Sequence, residues 1–422
     1  MGAAPVILLD PSSLDVAAAR RQAPSAPARR GAPLKFLLYS HDTVGLGNIR
    51  RTLLLAELLA SEFPGSATLL LTGSPAIQAF RLPGGLDYIK LPTMDRPEAE
   101  CARPRYLSQV AGEVQRARSA ILTQVAREFA PDLLIVDKRP SGIGDELLGA
   151  LCALRAVRGP RRGPGTRIVL GVRDILDDPA RTRAAWQRAG HFDTIARYYD
   201  EVWVYGDRSV FDAVAEYDFP EEVARKTVFC GYLERPVAAR AAPNGAPSVL
   251  VTAGGGGDGR PMIEAYLGGL AELPRRVALR STVIFGPEMP EDDQRALRSR
   301  YGSLGDVTFE AFDADLTKRY AEHDVVVAMA GYNTVCELLS CGARAVLVPR
   351  AEPVREQLIR ARLLSARGYC DMVEPAALAP DTLIRAVLGA LERAPAAAPP
   401  FALGGLPRVR DRVRHLLGAS GH

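Results

Sequence analysis

Gly331, Asn333, Thr334 and Glu337 follow an apolar run, Val325–Met329, at the start of what reads as a helix. Asn333 and Thr334 are cap-forming residues, and a helix N-terminus favours an anion. Glu337, one turn on, would then face neutral hydroxyls attached to that anion. Taken alone it reads more plainly as a solvated acid; the cluster favours ligand binding. Arg350, Glu356 and Gln357 follow the next apolar run, Ala345–Val348, closed by Pro349. A second group lies near the N-terminus. His41 stands beside Asp42 directly after KFLLYS, and Gly45, Gly47 and Asn48 come next in the loop. An imidazole oriented by a carboxylate deprotonates hydroxyls near neutral pH, although a lone histidine at a strand end is more often simply hydrogen-bonded. Asp137, ending DLLIVD, could serve the same purpose, or act as a helix cap or a partner of Arg139.

The glycine run Gly254, Gly255, Gly256 and Gly257 joins a strand to a helix, a place where backbone amides can approach a phosphate; the plainer reading is a flexible turn. It is not a dinucleotide fingerprint, because no acidic residue after a clear next strand stands where a ribose would be held. His191 and His323 read as structural, and His415 belongs to a terminal helix.

These residues need strands and helices to bring them together. DVVVAMAGYNTVCELLSCGARAVLV reads as strand, helix and strand with short connections, a unit whose strands pair in parallel. Such sheets bind ligands beyond the carboxyl ends of their strands. The same alternation fills the chain: KFLLYS, ATLLLTG, DYIKLP, DLLIVD, TRIVLGVRD (ending at Arg173 and Asp174), VWVYG and KTVFC in the first half, then SVLVTA, STVIFGP and VTFEAF. Helices are expected over about 106–129, over Asp145–Val157 and over Pro179–Ala189. The expected organisation is a disordered tail (1–32), an N-terminal Rossmann-like domain (33–236), a linker (237–247) and a C-terminal Rossmann-like domain (248–395). A Pro-rich gap and terminal helix (396–422) would pack back on the N-terminal domain. The fold class is α/β, with two doubly wound sheets.

The chain has 422 residues, 47% hydrophobic, 6% aromatic and 24% charged, the composition of a globular α/β protein with two cores. Its six cysteines lack CxxC spacing and read as free buried thiols in a reducing cytoplasm; with five histidines, none in ligand spacing, no metal site is expected. The net charge of +4 gathers in residues 1–30 (+2) and Arg155–Arg167 (+5), which leaves the rest at −3. That excludes a nucleic-acid-binding fold; the Arg155–Arg167 segment reads as an exposed loop, with contact to an anionic membrane as the sharper alternative. No apolar run approaches the roughly 20 residues of a membrane span, and Val6–Leu9 is too short for a signal peptide.

MAGYNTVCE resembles the nucleotide-sugar signature of GT-B glycosyltransferases, HxGWNSxxE in plant-type UDP-glycosyltransferases and RAGxxTxxE in the lipid II-forming N-acetylglucosaminyltransferase. The resemblance implies two Rossmann-like domains about a cleft. It implies that Gly331, Tyr332, Asn333 and Thr334 hold a diphosphate, that Glu337 binds ribose, and that Arg350, Glu356 and Gln357 serve the donor sugar. The signature's leading cation is Met329 here, which makes the glycine loop its expected substitute. YSHDTVGLGNIRR, GVRDILDDP and VYGDRSVFD are similar to a bacterial group of predicted glycosyltransferases whose loop is GxGHxxR; Asn48 replaces that histidine. Gly45, Gly47, Asn48 and Arg173 are then the acceptor-binding set, with His41, oriented by Asp42, or Asp137 as base. The implied reaction moves a hexose or N-acetylhexosamine from a UDP-sugar co-substrate to an acceptor hydroxyl. The acceptor would be a saccharide, a lipid-linked sugar or a small molecule. The transfer is expected to be inverting and metal-independent, with no other cofactor, in the cytoplasm or at the inner membrane face. Asn48 motivates the alternative of a non-catalytic nucleotide-sugar-binding partner; a sugar-nucleotide epimerase ranks last, because the C-terminal domain lacks converging acid–base groups.

Overall fold

The structure is a computed structural model and describes residues 33–41, 47–95, 103–156, 165–235, 245–274, 277–313, 316–393, 401 and 403–418. The expected tail and most of the expected linker and Pro-rich gap lie outside these residues, as do Asp42, Gly45 and Cys101.

The first half contains β1 (Lys35–Ser40), β2 (Ala67–Thr72), β3 (Leu86–Lys90), a short antiparallel pair β4 (Met94–Asp95) and β5 (Arg103–Pro104), β6 (Leu133–Asp137), β7 (Arg167–Arg173), β8 (Glu201–Tyr205) and β9 (Thr227–Phe229). Apart from β4 and β5 they form one parallel sheet in the order β3-β2-β1-β6-β7-β8-β9. Its helices are α1 (Gly47–Glu62), α2 (Ala111–Phe129), α3 (Leu148–Ala156), α4 (Pro179–Arg188), α5 (His191–Tyr198), α6 (Ala213–Glu216) and α7 (Glu221–Arg225). The second half contains β10 (Ser248–Thr252), β11 (Arg280–Ile284), β12 (Val307–Glu310), β13 (Val325–Ala328), β14 (Arg344–Leu347) and β15 (Asp371–Met372), ordered β12-β11-β10-β13-β14-β15 and parallel throughout. Here the helices are α8 (Arg260–Glu272), α9 (Glu291–Tyr301), α10 (Leu316–Glu322), α11 (Tyr332–Cys341), α12 (Glu356–Ser365), α13 (Pro380–Glu392) and α14 (Gly405–Leu416).

β6, β8, β10 and β13 are buried along their whole length, as central strands of a parallel sheet covered on both faces must be. That continuous burial is why their apolar runs do not alternate. Each sheet reverses its order once, between β1 and β6 and between β10 and β13. A crevice opens at such a switch point, where the following loops part to opposite faces. His41 and Asp137 follow or end the strands of the first; the glycine loop and Gly331 follow those of the second.

α14 returns to the N-terminal domain. Val409 and Val413, four apart and fully buried, face α1. Arg414 meets Glu62 at 3.1 Å, Arg412 pairs with Glu201, and Arg167 Nε donates to the Leu416 carbonyl at 3.0 Å. Gly405 makes the seat close, since a Cβ there would stand 2.5 Å from the Tyr232 carbonyl.

Two helix starts and the expected burial of one cysteine are corrected. The helix expected over about 106–129 begins at Ala111, after a 3-10 turn at Ser108–Val110, and Tyr106 is 72% exposed. The helix expected from Asp145 begins at Leu148, because Gly144 and Asp145 adopt positive φ. At the two ends of the basic segment, Arg155 and Arg167 are paired. Arg155 donates to the Tyr198 carbonyl (Nε, 2.9 Å) and to Asp200 at 2.9 Å, and Arg167 lies 3.7 Å from the same carboxylate; residues 157–164 lie outside the described set. Of the cysteines, Cys230 and Cys336 are buried but Cys152 is exposed. Among the described residues no helix is long and apolar enough to cross a membrane.

Candidate functional site

At the N-terminal switch point Arg51 and Asp137 are the anchor. Arg51 is 1% exposed and grips Asp137 with Nε (3.0 Å to Oδ1) and Nη2 (2.6 and 2.8 Å to Oδ1 and Oδ2). Burial disfavours its charge, but Asp137 outweighs that and raises the guanidinium pKa. Nη2 also donates to Asn48 Oδ1 at 3.0 Å, which fixes the amide with its NH2 towards His41 Nε2, 3.3 Å away. A nitrogen facing an amide donor must be the unprotonated one. The proton of neutral His41 therefore sits on Nδ1, 3.2 Å from the Asp137 carbonyl oxygen and 3.9 Å from its carboxylate. His41 is 2% exposed, and its basic nitrogen points at Asn48, the residue in place of the resembled loop's histidine.

Across from it, α11 starts at Tyr332 with Gly331 as its N-cap. Gly331 has no side chain to cap the first turn, which leaves those amides to water or a ligand. Asn333 does not cap either, contrary to expectation: its Nδ2 donates 3.0 Å to the Gly47 carbonyl at the start of α1, joining the two domains. Glu337 is 1% exposed and engaged by Arg50 of α1 at 2.6 Å, with Arg235 Nε at 3.7 Å. The carboxylate read as a ribose ligand is thus held by arginine. Met329 is buried in the C-terminal core and supplies no cation.

The glycine loop follows β10, the strand paired with β13, which α11 follows. Gly254 and Gly256 adopt φ of 65° and 99°, and a Cβ on Gly256 would stand 2.5 Å from the Phe285 carbonyl, so the loop needs glycine there. Gly255 accepts from the Glu288 amide at 2.8 Å. Asp258, just beyond Gly257, pairs with Arg350 at 3.0 Å, and Gln357 Oε1 lies 3.4 Å from the Arg350 amide.

Glu356, at the start of α12, is surrounded by Arg173 (2.7 Å), Arg350 (3.3 Å) and Arg360 (3.6 Å). Burial opposes its ionisation, yet Arg173, Arg360, Arg350 and Lys138 together hold its pKa at about 2, below the ordinary 4.5. Arg173, expected on the acceptor side, therefore reaches into the C-terminal domain. Burial lowers its own pKa, partly offset by Glu356. Arg360, fully buried, grips Asp174 at 2.9 and 2.7 Å and donates to the Ala330 carbonyl at 2.8 Å. Tyr332 lies between the guanidinium groups of Arg51 and Arg360, each 5.8 Å from its ring, and its hydroxyl accepts from the Leu233 amide at 3.2 Å.

Arg235 and Arg360 were not singled out by the sequence; Arg50 or Arg51 was noted only as the arginine of the resembled loop, and Asp174 only as a strand end. An arginine inside the buried face of an otherwise apolar helix, as Arg51 is among Ile49, Leu53 and Ala56, was the available signal.

Two acid windows follow from the charges. Burial, reinforced by Arg139 and opposed by Asp145, lowers the His191 pKa from 6.5 to about 4. Folding favours the neutral ring, so this contribution is complete above pH 6.5 and lost as pH falls towards 4. The Glu356 contribution is complete above pH 4.5 and lost towards 2. Melting temperatures of His191→Asn should accordingly fall less steeply than wild type between those first two values; identical slopes would remove His191 from the account.

Residues 248–400 match the glycosyltransferase family 28 C-terminal domain. Over 211 residues the chain is 29% identical to the UDP-N-acetylglucosamine–N-acetylmuramyl-(pentapeptide) pyrophosphoryl-undecaprenol N-acetylglucosamine transferase of Methylobacterium nodulans, covering 47% of this chain and 56% of that protein. The protein of the same name from Phenylobacterium zucineum is 32% identical over 177 residues, 40% and 48% of the two chains. The chain thus spans about half the length of the curated relatives it matches. Among solved structures, the glycotransferase of kitacinnamycin superposes with a TM-score of 0.60 at 18% identity over 92% of this chain and all (100%) of that one. The MurG of Acinetobacter baumannii gives 0.54 at 16%, over 91% and 100%. At these identities the likeness is one of fold. The chain has the GT-B glycosyltransferase fold, and its residues 248–400 are similar to the glycosyltransferase family 28 C-terminal domain.

Proposed function

We propose that the chain is a UDP-sugar-dependent hexosyltransferase that passes a hexose or N-acetylhexosamine to an acceptor hydroxyl. The observation that carries this reading is the meeting of a family 28-like donor domain with the His41–Asp137 pair across one crevice. The glycine loop and the open first turn of α11 would receive the diphosphate, Glu337 the ribose, and the Glu356–Gln357 end of α12 the sugar. His41 Nε2 would take the proton of the acceptor hydroxyl once that hydroxyl replaces the Asn48 amide. The acceptor oxygen then bonds to the anomeric carbon from the face opposite the leaving group, inverting it. The bond to the β-phosphate oxygen breaks, its electron pair stays on UDP, and helix amides stabilise that charge. The imidazolium left behind is met by the Asp137 carbonyl and carboxylate.

The relatives' names describe a lipid-linked acceptor, which supports an acceptor of that kind and work at the cytoplasmic membrane face. Contact through the 155–167 segment would have to use Arg158, Arg161 and Arg162, which lie outside the described residues. Metal independence is part of the proposal and is tested by activity in chelator. The second reading, a binding partner without turnover, draws on the Asn48 amide that covers the basic nitrogen of His41. A melting-temperature screen against UDP-, dTDP- and GDP-sugars, followed by an assay of UDP release, separates the cases. Stabilisation by UDP-sugars with release on adding acceptor supports transfer; stabilisation without release on any acceptor supports the partner reading.

A further inference from the structure

Arg50 stands one turn into α1 and Glu337 just over one turn into α11, and the starts of these two helices touch through Asn333 and the Gly47 carbonyl. The Arg50–Glu337 contact at 2.6 Å therefore crosses the crevice where the donor's ribose and diphosphate are placed above. Of the arginines around it, Arg51 is committed to Asp137, Arg360 to Asp174, and Arg350 to Asp258 and Glu356, while Arg235 stands 3.7 Å from Glu337 and donates to the Arg50 carbonyl at 3.2 Å. Arg50 meets its one carboxylate through a single nitrogen and is 13% exposed at the side chain, so it has both the access and the freedom to move. The C-terminal domain brings no cation at 329, where Met329 is buried. One helical turn separates Glu337 from Thr334, a step of about 5–6 Å that an arginine side chain spans by rotating its torsions.

We propose that Arg50 is a donor-binding residue lent by the N-terminal domain. Glu337 holds it in the structure; when a UDP-sugar enters, the ribose hydroxyls take over Glu337 and the guanidinium turns onto the diphosphate. The exchange leaves no buried charge unpaired: Glu337 gains hydroxyl donors and Arg50 gains a phosphate, to which arginine binds more strongly than a neutral donor does. This inference rests on the donor-site reading and adds to it the source of the missing cation.

Calorimetric titration of the full chain with uridine and with UDP tests it, in wild type, Arg50→Met and Arg50→Lys. Uridine meets only the Glu337 half of the exchange. In Arg50→Met its affinity should rise or hold, while the preference for UDP over uridine falls by about tenfold or more; Arg50→Lys should recover part of that preference. An unchanged UDP-to-uridine ratio in Arg50→Met, with UDP still bound, would overturn the role of Arg50 and leave the donor site standing. Wild type that binds neither ligand would overturn the donor site and Arg50 together. If Arg50→Met melts before titration, Arg50→Lys decides: a UDP-to-uridine ratio equal to wild type at 50 mM and at about 200 mM salt contradicts a phosphate contact that must give up its arginine geometry.

Discussion

Arg360→Met is expected to destabilise the chain by about 3–5 kcal/mol, the usual consequence of removing one partner of a buried ion pair. Arg360 is fully buried and Asp174 is 1% exposed, so the remaining carboxylate would be stranded without water. Three further contacts go with the guanidinium: its bond to the Ala330 carbonyl, its pairing with Glu356 at 3.6 Å, and its place over the Tyr332 ring. Methionine fills much of the volume but satisfies neither oxygen. Because Asp174 ends the N-terminal sheet and Arg360 lies on α12, the loss falls on the junction of the two domains. Scanning calorimetry should show a lower first transition, separated from a second that moves less. The double variant Asp174→Asn with Arg360→Met should be milder than the sum of the singles, since neither charge is then left alone. A wild-type melting profile in Arg360→Met would mean that the pair carries no weight at the junction.

His41→Gln should lower kcat by about 10²–10⁴, the range for loss of a general base, while leaving UDP affinity and melting temperature near wild type. Glutamine can keep a hydrogen bond to Asn48 or to the Asp137 carbonyl but cannot take a proton. The acid limb of the kcat profile, which reports protonation of the imidazole, should vanish with it. Asp137→Asn should reduce rate too, but by another route: it leaves Arg51 buried without its carboxylate and so lowers stability as well. Turnover of His41→Gln within about tenfold of wild type would place the base elsewhere, since that is less than general-base catalysis supplies.

The strands were legible because they are buried on both faces, and runs such as Leu133–Asp137 and Val325–Ala328 cannot then be anything but apolar. The early end of the helix before Ala111 was not. Tyr106, Leu107 and Val110 supply apolar spacing, yet they are 72%, 48% and 43% exposed, so the pattern there serves no core. In the site, glycines and cap residues were legible because their chemistry is local to a strand–helix turn. Charge partners were not. Arg50 and Glu337 are 287 residues apart, and Arg360 and Asp174 are 186 apart. An arginine among helix residues looks the same in sequence whether it faces water or a carboxylate of the other domain. The pairing of Arg155 and Arg167 with Asp200 was illegible for the same reason, because Asp200 lies beyond the next helices.

The central claim is that the start of α11 and Glu337 form the UDP site, and calorimetric titration of UDP into wild type and Glu337→Ala tests it most directly. Wild type should bind one UDP per chain, with affinity that falls as salt rises. Glu337→Ala should bind it at least about tenfold more weakly, the loss expected when hydrogen bonds to a charged group are removed. Equal affinity in the two proteins, or no binding of UDP to wild type, would contradict the account.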